Sequence, residues 1–392
     1  MLRAPRMAPF GWLAAANFAF GLGMGIYQTI FFNFIGQDLG ISPNELGLLE
    51  TVREIPGLLT AGIAALVMTV AEPVVGAVAL LLLGVGFVNY FHIDGIPSLI
   101  LFSLVASVGF HMWMPISSTL ALRLSHVTEQ GSRLGRLRAV AAVANLAGIG
   151  LVALVAGASG LRPLFVVAGV LAIAGALLVL RVRGVPRTKR PPRILVRRAY
   201  WLYYALTFLD GARRHIFMTF ALFLLVRDYG SPVQTIAILS LVNGVVSIAA
   251  VYQFGRLIDR FGERRILMVA YGALALIFVG YAAIPVLAVL FVLYVLDNLF
   301  FSADTGVTTY LGKIAVDPAD IRPSLVTGMT VNHIAAVIIP ITGGILWEAY
   351  GHWVPFVGGA ILAVASLALS TRIRVHVGET APSPVAEAKA AP

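Results

Sequence analysis

The stretch Gly255 to Arg265 reads GRLIDRFGERR, and six of its eleven residues are charged. The run before it, VQTIAILSLVNGVVSIAAVYQF, is apolar, and so is the run after it, ILMVAYGALALIFVGYAA. Each flank has the length that crosses a hydrocarbon core about 30 Å thick as a helix. The stretch therefore reads as a short loop between two membrane spans. Gly255 lets two helix ends approach closely. Asp259 is placed to accept hydrogen bonds from a neighbouring helix N-terminus and from arginines. Gly262 permits the tight turn.

Composition agrees with that reading. The 392 residues are 59% hydrophobic and only 12% charged, where a soluble domain carries about 25% charged residues. An ordinary soluble enzyme is excluded. The net charge of +10 raises the question of a nucleic-acid partner, but the positive residues sit in short gaps between apolar segments, so none is expected. The chain has no cysteine, hence no disulfide framework, thiolate nucleophile or cysteine metal site. MLRAPRMAPFGW leads into an apolar segment that outlasts a signal-peptide core and shows no small-residue cleavage site, so it reads as a retained first helix. No cofactor is implied.

Twelve candidate spans follow, near 11–35, 45–69, 73–91, 97–119, 137–158, 162–181, 201–226, 233–254, 266–284, 286–308, 325–347 and 353–371. The expected fold is an all-α membrane protein with two pseudo-symmetric six-helix bundles. The boundaries are 1–182 for the first bundle, 183–199 for a basic linker, 200–375 for the second bundle and 376–392 for a disordered tail. Of the 28 lysines and arginines, 23 fall in the alternate gaps on one side. Cytoplasmic loops retain positive charge, so both termini are expected to be cytoplasmic. An eleven-span count would move the C-terminus across; the charge bias supports twelve. The linker fixes topology, with anionic lipid headgroups as a secondary partner.

A shift of 190 residues brings the halves into register. Gly21 falls on Gly211, Ile26 on Ile216, Thr29 on Thr219, Asp38 on Asp228 and Gly40 on Gly230. Both copies run from an apolar helix into an Asp-x-Gly turn and then Ser-Pro. Duplicated halves are usual in secondary transporters, with the solute site at their interface near mid-membrane.

GRLIDRFGERR resembles the loop signature of the major facilitator superfamily, Gly-x-Leu-x-Asp-Arg-x-Gly-Arg-Arg. Gly255, Leu257, Asp259, Arg260, Gly262, Arg264 and Arg265 fit, while Glu263 stands where a basic residue is common. The resemblance covers the whole chain and implies secondary transport by alternating access in a bacterial cytoplasmic membrane, by a monomer. It implies a gating role for Asp259, Arg260 and Arg264, with Gly255 and Gly262 shaping the loop. The matching loop of the first half, AALVMTVAEPVV, is degenerate and leaves Glu72 as a remnant charge. The antiporter motif Gly-x-x-x-Gly-Pro-x-x-Gly-Gly is missing from the fifth span. A fragment survives in the eleventh as Pro340, Gly343 and Gly344, which also reads as a kinked, closely packed helix. The Gly-Ala-Arg-Arg segment of the seventh span and the Asn-His pair of the eleventh are similar to a bacterial branch of the superfamily. That likeness supplies no substrate.

Charges inside a span cost about 2.5–3.5 kcal/mol each on insertion scales and often mark function. The seventh span holds Asp210, Arg213, Arg214 and His215. Asp210 lies three and four residues before the arginines, on one helix face. It can neutralise one, leaving a positive charge suited to a carboxylate or phosphate; a salt-bridge network locking the helix is the alternative. The tenth span offers Asp297 and Asp304, seven apart and nearly on one face. Either could carry a proton; a solvated helix-end charge is the competing reading of Asp304. His333 and Glu50 are further proton-coupling candidates. Asn332, Asn17, Gln28 and His111 are candidate solute contacts, although Asn and Gln also serve as interhelical glue. Arg53 and Glu54, with Glu50, form an i, i+3, i+4 cluster read as an outer gate, and Pro56 and Gly57 should bend that helix. No helical His-x-x-x-His or Glu-x-x-His spacing supports a metal site.

The expected function is proton-coupled transport of a small organic anion or amphipathic solute. The alternative is a proton-driven multidrug or cation efflux antiporter, with Asp297, Asp210 and Glu50 as recognition groups and the arginines structural. A transporter-like sensor without flux lacks any added soluble domain in its support. An enzyme is not expected, since there is no nucleotide loop and no thiol.

Overall fold

A computed structural model describes residues 8–67, 69–126, 129–183 and 195–374. Most of the basic linker, and the tail from 375 onward, lie outside the described residues. No strand occurs among those described. In chain order the helices are α1 (Pro9–Asn33), α2 (Pro43–Leu58), α3 (Thr60–Leu66), α4 (Glu72–Asn89), α5 (Ile96–Arg123), α6 (Gln130–Ser159), α7 (Arg162–Val179), α8 (Trp201–Arg227), α9 (Val233–Phe261), α10 (Glu263–Ala283), α11 (Leu287–Phe301), α12 (Thr305–Ile314), α13 (Pro318–Tyr350) and α14 (Trp353–Ser370).

Among the described residues, ten helices are long and apolar enough to cross a membrane. Two of the twelve expected spans fall outside that set. The 45–69 stretch is not one helix: α2 ends at Leu58 and α3 begins at Thr60. Pro56 lies just before the break; it has no amide hydrogen and crowds the preceding turn. The other is α8, in which every window of 18 residues contains Asp210, Arg213 and Arg214. The 286–308 stretch is also interrupted. A 3₁₀ turn over Ser302–Asp304 separates α11 from α12, and such a turn inside a span often marks a functional irregularity.

Local chemistry sets several helix starts. α2 opens on a capping box: Glu45 N–H donates to Ser42 Oγ (3.2 Å), and Ser42 N–H donates to Glu45 Oε2 (2.7 Å). Outward faces are apolar. Leu154 is 84% exposed and Leu276 74%, which suits lipid and not water.

The repeat is visible in the backbone. Gly40 has φ +62° and Gly230 φ +63°. Ile41 N–H donates to Ile35 O, and Ser231 N–H to Leu225 O, both at 3.0 Å. The two Asp-x-Gly turns thus close the same seven-residue loop at a helix C-terminus, which needs a left-handed residue. In the first half α1 packs on α6 and α7, and α4 on α5 and α7; in the second α8 packs on α13 and α14, and α10 on α11 and α14. A second matched pair lies at the opposite end. Glu72 of α4 is salt-bridged to Arg123 of α5, and Glu263 of α10 to Lys313 of α12 (2.6 Å). Lys313 lies 190 residues after Arg123. Glu72 is thus a working ion-pair partner.

The halves meet chiefly through α2 against α13 and α6 against α9. Asn33 Nδ2 donates to Ser231 O (2.9 Å), Gln37 Nε2 to Ser231 O (3.1 Å), and Thr51 Oγ1 to Val337 O (2.8 Å). Asn44 N–H donates to Glu348 Oε2 at 3.0 Å. A Cβ at Gly47 would collide with Pro340 O, and one at Gly344 with Pro43 O. The Pro340–Gly344 fragment therefore lets α13 approach α2 backbone to backbone. Hydrogen bonds and ion pairs between the halves use residues 33–54 on the first-half side. Among the described residues, Asp259, Arg260 and Arg264 of the Gly255–Arg265 loop form no ion pair with the first half.

Candidate functional site

Two polar groups lie within the helix bundle, one beside the other. The first is built on α8. Arg213 is fully buried, and its guanidinium reaches Asp210 Oδ1 at 2.9 Å and Asp297 Oδ1 at 3.3 Å. Asp210 lies one turn back on the same helix, and Asp297 comes from α11. Arg213 has no face open to a solute in this conformation. Its Nε has no hydrogen-bond partner, so the compensation for burial is mainly ionic.

Arg214 differs. It is partly exposed, forms no ion pair among the described residues, and seats its guanidinium 3.4 Å from the centre of the Phe301 ring. That is cation–π geometry. Asp304 is the last residue of the 3₁₀ turn and lies near the Asp210 carboxyl. It is only partly exposed, so the reading of a plain solvated charge does not describe it. The turn redirects the chain after Phe301 and brings Asp304 near Asp210 of α8. Two arginines thus meet three carboxyl groups, where the sequence alone suggested a surplus positive charge.

The second group joins α8 and α13 to α2 and α5. His215 Nε2–H donates to Asn332 Oδ1 (3.1 Å). The next residue, His333, places Nδ1 3.0 Å from Glu54 Oε2, and His111 Nε2 is 3.9 Å from the same oxygen. Glu54 therefore bonds across the halves. Glu50 and Arg53 instead pair with each other, and Arg53 lies over the Phe31 ring at 4.7 Å. Gly57 was read only as part of a bend. It also makes room, since a Cβ there would lie 2.6 Å from His333 Nδ1 and 2.7 Å from His111 Nε2.

The model of the Major Facilitator Superfamily matches residues 13–327. The chain belongs to that superfamily. It is accordingly an integral membrane transporter of a small-molecule substrate, and not an enzyme. No curated protein matches it by sequence. Its fold is similar to that of a point mutant of the nucleoside transporter NupG, with TM-score 0.78 at 16% identity, covering 92% of this chain and 99% of that one. It is also similar to a bacterial homologue of the human lysosomal transporter Spinster in an inward-facing, unoccupied conformation, with TM-score 0.74 at 14% identity over 93% and 96% of the two chains. At these identities the likeness is one of fold.

The remaining sequence candidates take varied places in this superfamily fold. Asp259, Arg260 and Arg264 are exposed and form no ion pair among the described residues; Gly255 precedes them and Gly262, with φ +81°, lies between Arg260 and Arg264. Asn17 donates to Leu13 O one turn back (3.0 Å) and is buried, which is the glue role. Gln28 is exposed. Sequence reading missed Phe301, Ser107 and Lys313. Lys313 alone had a signal, its 190-residue relation to Arg123.

Proposed function

We propose that the chain is a secondary transporter of twelve spans in two six-helix halves, with both termini on the cytoplasmic side of the cell membrane, working as a monomer by alternating access. The substrate is a small organic anion or an amphipathic solute carrying one. The observation that carries this reading is Arg214: partly exposed, in no ion pair among the described residues, and braced on Phe301. A guanidinium so placed can bind a carboxylate or phosphate bidentately. His215 and Asn332, next along α8 and across on α13, line the same region.

The state is inward-facing. The halves bond at the end holding residues 33–54, and among the described residues Asp259, Arg260 and Arg264 at the other end form no ion pair with the first half. Asp259, Arg260 and Arg264 are then the open half of a cytoplasmic gate and gain partners when it closes.

Proton coupling rests on Asp304 and Asp210. Two carboxyl groups held close together favour holding a proton on one of them, because two like charges in a buried site repel. Bringing an anion to Arg214 alters the field on that pair, which links solute and proton. Asp297 stays with Arg213 as the scaffold of the site.

The three carboxyl groups favour one competing reading, cation efflux, in which the acids recognise the solute and Arg214 is structural. Reconstitution in liposomes with an imposed pH gradient separates them. Arg214→Ala should weaken binding and flux of organic anions roughly tenfold to a hundredfold and spare cations; loss of cation flux with anion flux intact would overturn the proposal. Asp304→Asn should keep solute exchange and lose its response to the pH gradient.

A further inference from the structure

Glu54 of α2, His111 of α5 and His333 of α13 converge from three helices, and one ligand atom from each lies within 4.8 Å of the others. Their arrangement is more than proximity. His111 Nδ1 is 3.0 Å from Ser107 O and 3.0 Å from Ser107 Oγ. The carbonyl can only accept, and the hydroxyl spends its own hydrogen on Arg53 O. Nδ1 therefore carries a proton, which makes Nε2 the ligating nitrogen of the neutral ring, 3.9 Å from Glu54 Oε2. A neutral imidazole nitrogen and a carboxylate oxygen so placed can share a cation between them. Anchoring the far imidazole nitrogen on a backbone carbonyl is also how metal-binding histidines are usually oriented.

The spacing suits a small ion. Ligands about 2.0–2.2 Å from a tetrahedral centre stand roughly 3.4 Å apart. The two separations on Glu54 Oε2, 3.0 and 3.9 Å, bracket that value. All three side chains are partly exposed, and the missing side chain of Gly57 leaves space beside both imidazole nitrogens. Two imidazoles and one carboxylate select a borderline divalent ion such as Zn²⁺, Co²⁺ or Ni²⁺ over Mg²⁺ or Ca²⁺, which prefer oxygen ligands alone. One-helix spacing could not reveal the site, because each ligand comes from a different helix.

We propose that Glu54, His111 and His333 form a binding site for a divalent transition-metal ion of the zinc class, and that the bound ion ties the two halves together at this end. Glu54 and His111 belong to the first half and His333 to the second, so separating the halves breaks the site.

The test uses the full-length protein, purified in detergent, stripped with a chelator and titrated calorimetrically with zinc chloride. One saturable equivalent of Zn²⁺ is expected, with a rise in thermal unfolding temperature that magnesium chloride does not produce. Glu54→Gln, His111→Gln and His333→Asn should each weaken binding by about tenfold or more; a variant that elutes aggregated is set aside, and the remaining ones decide. Absence of saturable Zn²⁺ binding in the parent protein, or one-equivalent binding unchanged in the monodisperse variants, would overturn the site. Locking has its own readout. The chain has no cysteine, so Gln37→Cys introduces a single reporter between the halves. Zn²⁺ should slow its maleimide labelling, and His333→Asn should remove that effect. Binding without any change in labelling would overturn the tie while leaving the site.

Discussion

Positions 20, 23, 24 and 25 of α1 hold Phe, Gly, Met and Gly; 190 residues on, α8 holds Asp210, Arg213, Arg214 and His215. The two helices begin matched halves and end in matched turns. A Cβ at Gly25 would collide with Asn145 O of α6, so α1 lies backbone to backbone on its neighbour. At the equivalent position His215 reaches out and bonds Asn332 of α13. The shared glycines are put to different use as well. Gly21 admits Ala141 O, whereas a Cβ at Gly211 would sit 3.0 Å from Asn332 Oδ1. One copy spends these positions on close packing and the other on a polar site. Close packing needs only small residues, and it leaves nothing to recognise a solute. A buried charge cluster is costly to hold and useful only where something must bind or move.

The comparison can be broken most directly at Arg213. Arg213→Met leaves Asp210 and Asp297 buried without their cation, and a loss of about 3–5 kcal/mol of stability is expected. Thermal unfolding in detergent measures it, and Asp297→Asn in the same background should recover part of the loss. The next effect separates stability from function within α8. Arg214→Ala should lower organic-anion affinity by about 1.5–3 kcal/mol, roughly tenfold to a hundredfold, the worth of a hydrogen bond to a charged group. Because Arg214 forms no ion pair among the described residues, the variant's unfolding temperature should stay close to that of the parent protein. In α1 the opposite pattern is expected: Gly25→Ala should destabilise by about 1–3 kcal/mol through overpacking against α6, with solute affinity in the surviving folded fraction unchanged. The smallest effect tests the contact between the halves. Gln37→Ala removes two hydrogen bonds to second-half carbonyls and should cost about 0.5–1.5 kcal/mol, read as faster labelling of a cysteine placed nearby.

Much of the fold was legible because a membrane simplifies the code. Backbone polar groups have no water to turn to, so apolar runs of sufficient length must be helices, and turns between them are marked by glycine, proline and charge. The 190-residue repeat was legible for a related reason. A helix that ends in a left-handed turn needs glycine at one position, so Gly40 and Gly230 survive where little else matches. The breaks after Leu58 and Phe301 were harder to see. Pro56 hinted at the first, but nothing local marks Ser302–Asp304 as a 3₁₀ turn. The site was half legible. That Asp210 shares a face with Arg213 follows from helix period. That Asp297 would join them, and that Asp304 would lie against Asp210, depends on how α11 and α12 pack on α8.

By itself the sequence determined the helical class, the repeat, the signature loop and the presence of costly charges in the seventh span, since each is written in composition or in spacing along one helix. Only the tertiary structure decided the division of labour among those charges. Arg213 is enclosed and Arg214 partly exposed, and Glu54 parts from Arg53 to meet two histidines. The physical reason is the same in each case. The partner of a buried charge is whichever group another helix brings within a few ångströms, and that group lies tens to hundreds of residues away along the chain.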